Sequence, residues 1–179
     1  MLVRMIATFA AAVSVSVLVG CQSMERLGGR KSEKLSGVGN TFFRQAAIGD
    51  MTELETSRIA LENAQSSDVK SFAQRMIDDH TGNRARVAEL ARSKNVQPPA
   101  QLDTAHQKIV DKLRNTPAGP DFDRAYMKAQ VTAHQETVAT YETASQKAED
   151  PDVKAYATQA LPMLRQHLEM ARSINNRVK

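Results

Sequence analysis

The chain is poor in the residues that most often mark a β-rich or disulfide-bonded fold. It has one cysteine, no tryptophan, and aromatics at only 4% of its 179 residues. A single cysteine excludes an intrachain disulfide, so no covalent staple holds the fold. So few aromatics argue against a β-sandwich core, where rings and β-branched residues fill the pleated faces. Strand-like alternation and hairpin turn signals are missing too. Charge of one sign is scarce: 24 Lys and Arg stand against 20 Asp and Glu, a net charge of +4. With no basic run and no base-stacking aromatic motif, nucleic acid is excluded as the expected partner. No apolar stretch reaches the roughly 20 residues that a spanning helix needs. P-loop, nucleophile-elbow and His-Glu-x-x-His motifs are also lacking, which removes the enzyme classes that depend on them.

What is present is alanine, methionine and helical periodicity, the composition of helices packed closely through small side chains. The first twenty residues read as an export signal. Arg4 gives the positive start, and Ile6 to Val19 is an uncharged run of the length of a signal-peptide core. It ends Leu18-Val19-Gly20-Cys21, which resembles the lipobox of bacterial lipoproteins, where the cysteine becomes the acylated first residue. Acyl chains of the palmitate kind contribute about 0.8 kcal/mol per buried CH₂, so several of them anchor a domain stably. The expected organisation is therefore a signal peptide (1–20), the acylated Cys21 with a flexible tether (21–39), and a helical domain (40–179). The expected location is the cell envelope, lipid-anchored and facing the periplasm. Gln22 in place of Asp after the cysteine resembles the outer-membrane sorting pattern.

Within the domain, Asn40 is expected to cap a short helix, 41–48, that Gly49 breaks. Asp50-Met51-Thr52-Glu53 has capping-box spacing and opens the next helix, to about Ala64. Ser67 or Asp68 is expected to cap the next helix, which runs to about Ser93, and further helices are expected over 102–113, from about Asp121 to Ala148, and from Val153 to Ile174. Pro162 inside the last is expected to kink it. Short loops pair the long helices as two antiparallel hairpins, and a connection of some two dozen residues with its own helix joins the hairpins. This is an all-α, ferritin-like four-helix bundle, with a short N-terminal helix added.

One polar residue per long helix falls on an inward stripe. On a wheel of about 100° per residue, His134 lies within about 40° of Met127, Val138 and Tyr141. His80 and His167 sit among apolar residues in the same way, and Glu53 shares a face with Ala60 and Ala64. Glu53 and His80 are level within their hairpin and His134 and His167 within theirs, the second pair about three residues, or roughly 4.5 Å, further from its turn. Three imidazoles and a carboxylate suit a single transition metal: Zn, Fe, Mn or Cu. Asp123, Tyr126, Gln130 and Asn83 are candidate outer partners of those ligands. A buried polar network without a metal would present the same pattern. No Glu-x-x-His occurs at any of the three histidines, so a di-iron oxidase is not expected.

Glu53-Leu54-Glu55, Phe72 to His80, Phe122-Asp123-Arg124-Ala125-Tyr126, Ala133-His134-Gln135 and Leu161 to Leu168 together resemble a bacterial family of unknown function often labelled "predicted outer membrane protein". The resemblance runs from Thr41 to about Ile174. It implies a ferritin-like fold and an exported protein, and no established activity. The expectation is an exported, non-enzymatic envelope lipoprotein that binds one transition metal. Two alternatives stand beside it: a metal-dependent redox enzyme, and a structural or interaction module with a buried polar network.

Overall fold

Stretches whose apolar residues recur at helical spacing are helices in the computed structural model, which describes residues 37–178. They are α1 (Gly37–Asn63), α2 (Ser67–Ser93), α3 (Thr104–Arg114), α4 (Pro120–Lys147) and α5 (Pro151–Arg177). Among the described residues there is no strand, and no helix is long and apolar enough to cross a membrane. The expected export signal, Cys21 and the expected tether as far as residue 36 lie outside the described residues.

α1 packs along α2, and α4 along α5, each pair joined by a three-residue turn that forces it antiparallel. α1 of the first hairpin faces α4 of the second, while α2 touches α5 more sparingly. The crossover carries α3, which leans against α1 and α4. This is the ferritin-like arrangement of a four-helix bundle.

The separate N-terminal helix is not there. α1 runs unbroken through Asn40, Gly49 and Asp50. A mid-helix glycine costs about 1 kcal/mol against alanine. Burial of Phe42, Phe43, Ala46, Ile48, Met51 and Leu54 on both sides of it outweighs that, because packing supplies most of a helix's stability. Asp50 is consequently an interior residue and not an N-cap. The cap of α2 is Ser66, one residue earlier than expected. α5 continues across Pro162.

The hairpins are clasped at one end by α4. Asp123 accepts hydrogen bonds from the backbone N–H groups of Gln65 (3.0 Å) and Ser66 (2.9 Å) in the α1–α2 turn. Gly119, in the left-handed region at φ 109°, donates its N–H to Asn63 O at 2.9 Å. A carboxylate that takes two turn amides is costly to remove. Asp123→Ala is expected to lower unfolding free energy by about 1–3 kcal/mol, read from a urea titration.

The opposite end depends on Asp150, the N-cap of α5. Its carboxylate accepts from Asp152 N–H (2.9 Å) and Val153 N–H (3.1 Å) and pairs with Lys94 at 2.8 Å. Partial burial would raise its pKa, but Lys94 and the two amides outweigh that and hold it below the ordinary 3.8. The folded value is therefore the lower one. The stabilisation is fully present above about pH 4, near the unfolded value, and is lost as pH falls through the lower, folded value. Asp150→Ala is expected to cost about 1–2 kcal/mol at neutral pH. The difference from the parent should shrink in melts below pH 4.

The core is two apolar clusters with a polar layer between. One gathers Phe42, Phe43, Val87, Tyr141, Val153 and Leu164. The other gathers Ile59, Phe72, Met76, Tyr126, Leu113 and Ile174. On α1, α2 and α4 the chain passes from one cluster to the other through a buried Glu53, His80 or His134, and on α5 the buried His167 lies just before that passage.

Candidate functional site

The polar layer brings His80 of α2, His134 of α4 and His167 of α5 together at the bundle axis. Their ring centroids are 5.5 to 5.7 Å apart. One ring nitrogen of each lies within 4.8 Å of the other two. All three side chains are fully enclosed, at 2% exposure or less.

Each ring has one nitrogen held and one left over. His80 Nδ1 is 2.8 Å from Asp50 Oδ1. His134 Nδ1 is 3.0 Å from the Gln130 carbonyl oxygen. His167 Nε2 is 2.8 Å from Asp79 Oδ2. A carbonyl only accepts, so His134 Nδ1 carries a proton. A carboxylate partner favours the same arrangement in the other two rings. The neutral tautomers then place lone pairs on His80 Nε2, His134 Nε2 and His167 Nδ1. These are the nitrogens that are buried with no partner. Buried polar atoms are nearly always satisfied, so three orphans at one layer ask for an explanation.

Outer contacts fix the rings. Asn83 Nδ2 donates to both Asp50 oxygens at 2.9 Å and to Tyr141 Oη at 2.9 Å. Tyr156 donates to Asn83 Oδ1 at 2.5 Å. Asp79 is also gripped by Arg75, at 3.3 Å. Such carboxylate–histidine pairs orient a ring and raise its basicity toward a metal.

The electrostatics favour a cation. Asp50, Glu53 and Asp79 surround the three rings, and among the described residues no lysine or arginine is buried. Burial alone would lower His80, but the Asp50 hydrogen bond and the charges of Glu53, Asp50 and Asp79 prevail and raise its pKa. Burial dominates at the other two rings. It lowers His134 despite Glu53, and holds His167 down to about 4 despite Asp79. Burial thus favours the neutral form of His134 and His167, while His80, held toward its charged form, would release a proton on taking an ion.

Glu53 comes to the layer but not into the cluster. Its Oε1 is 3.9 Å from His134 Nδ1, beyond hydrogen-bond range, and its Oε2 is buried without a partner. Of the expected outer partners, Asn83 supports His80 through Asp50, and Gln130 serves His134 through its backbone carbonyl. The Gln130 side chain reaches Thr56 Oγ1 at 3.4 Å. Asp123 and Tyr126 have other work: Asp123 binds the α1–α2 turn, and Tyr126 pairs with Ser57 at 2.9 Å. They share the inward face of α4 but sit about two and three turns from His134, too far along the helix.

Asp50 and Asp79 are the residues that sequence reasoning missed. Asp50 lies three before Glu53, on the same helical face, and was hidden by its capping-box spacing. Asp79 adjoins His80 yet faces α5, 32% exposed.

Comparison with known proteins follows the fold. A crystal structure of a DUF305 fragment from Deinococcus radiodurans superposes with a TM-score of 0.70 at 16% identity, covering 81% of this chain and 99% of that one. At that identity the likeness is one of fold alone. No curated protein matches. The family model described as "Domain of unknown function (DUF4142)" matches residues 25–174, which is most of the chain, and this protein belongs to that family.

Proposed function

We propose that this domain binds one divalent transition-metal ion through His80 Nε2, His134 Nε2 and His167 Nδ1. The observation that carries the reading is the set of three buried, unpartnered ring nitrogens, each opposite a nitrogen already held by an acceptor. Tetrahedral Zn–N bonds of about 2.0–2.1 Å put ligand nitrogens roughly 3.4 Å apart, so each nitrogen closes in by less than about 1 Å. Imidazole ligands suit Zn, Cu, Fe and Ni. Bridging carboxylates of the di-iron kind are absent from the three-histidine cluster, which supports a single ion over a pair.

The protein acts in this reading as a metal-binding envelope lipoprotein and not as an enzyme. Support for the envelope is the sequence Leu18-Val19-Gly20-Cys21 after its uncharged run. Acylated Cys21 would hold the domain to a membrane facing the periplasm. Elemental analysis of the protein, purified without a histidine tag or chelator, is the test. One equivalent of a transition metal is the expected result. If none is found, and none is taken up on titration with Zn²⁺, Cu²⁺, Fe²⁺ or Mn²⁺, the layer is a structural network only.

A further inference from the structure

A cavity of about 440 Å³ opens between α1, α3 and α4, and it reaches the polar layer. His80 and Glu53 are on its wall, whereas His134 and His167 are not. The centre is therefore approached from one side, past Glu53. Two more buried acceptors mark that approach. Glu53 Oε2 and Gln130 Oε1 have no hydrogen-bond partner, and both residues are at most 3% exposed and line the cavity. The surrounding wall is largely apolar, with Leu113, Ala125, Ala129 and Ile109.

Three protein nitrogens leave a tetrahedral ion one position short. The cations of the lining, Arg44, Lys112 and Lys128, are solvent-exposed, and the buried side-chain atoms of the lining that lack a partner on the approach are the acceptors Glu53 Oε2 and Gln130 Oε1. We infer that the cavity admits a small, neutral, monodentate ligand that gives a lone pair to the metal and donates an N–H or O–H to Glu53 or Gln130. An anion without a proton is disfavoured by the Glu53 carboxylate. A bulky ligand is limited by the volume, which is that of a small-molecule site. The inference rests on the metal reading above.

The cobalt form of the full-length chain gives a direct test, because Co²⁺ visible bands report its coordination. Imidazole and N-methylimidazole are the probes: both supply a lone pair, and only imidazole supplies an N–H. Imidazole is expected to shift the bands and to bind at least about tenfold more tightly than its methylated analogue, as a hydrogen bond to a charged group implies. Glu53→Met should remove most of that preference. Ala129→Phe in the wall, and separately Ile109→Trp at the rim, should weaken both probes while one equivalent of Co²⁺ is kept. Bound Co²⁺ with bands that imidazole does not move overturns the inference and leaves the metal reading intact. So does equal affinity for the two probes, or indifference to both cavity variants. Failure to bind Co²⁺ at all removes the metal reading and this inference together.

Discussion

His134→Ala is expected to reduce bound metal from one equivalent to a trace, with affinity down by at least about a hundredfold, since loss of an outer partner alone costs 10–100-fold. The helical circular dichroism signal should remain. His134 offers Nε2 to the cluster and has its other nitrogen tied to a backbone carbonyl of its own helix. Its removal breaks no hydrogen bond to a carboxylate, the nearest, Glu53, lying 3.9 Å away. A loss of metal can therefore be read separately from a loss of fold. His106→Ala is the matched control. That histidine is on α3, 33% exposed, and bonded to Asp103 at 2.7 Å, and its loss should leave metal content unchanged. Metal retained by His134→Ala would show that the ion sits elsewhere.

Asp50→Ala is expected to have the largest effect on stability, about 3–5 kcal/mol, the usual cost of removing one member of a buried charged pair. In a domain of this size that is a fall in melting temperature of roughly 10–20 °C. Asp50 is 2% exposed and is the acceptor for both His80 and Asn83. Without it, His80 Nδ1 is left in the core with no acceptor, and Asn83 keeps only Tyr141 Oη. Asp50→Asn keeps the shape and one acceptor oxygen. It should unfold much less readily than the alanine variant yet bind metal about 10–100-fold more weakly. Thermal melts and metal titrations of the pair separate the two roles. Equal stability of parent and Asp50→Ala would mean that the His80–Asp50 contact contributes nothing net.

The inward-facing set was legible because each member lies on a long, regular helix. Glu53, His80, His134 and His167 recur in phase with apolar residues, and 100° per residue is enough to place them inside. Gly49 misled for a physical reason. Glycine's helix penalty is a local quantity of about 1 kcal/mol, and it carries no information about neighbours that repay it. With the helix cut there, Asp50 became a cap and its true partner on α2 could not be seen. Asp79 was missed in another way. It is half on the wet face of α2, and only the approach of α5 turns it toward His167.

The sequence by itself determined the helices, their pairing into two hairpins and the four polar residues that face the axis. All of these follow from short-range terms: backbone period, turn residues and loop length. The tertiary structure alone decided which acceptor holds which ring, which nitrogen is left over, and that α3 frames a cavity leading to the layer. Those depend on the rotation and axial offset of one helix against another, across interaxial distances of about 8–10 Å. An offset of a single turn would keep every residue facing inward and still exchange its partners. Register between helices is fixed by how side chains of distant segments interlock, and no window along the chain contains both sides of that contact.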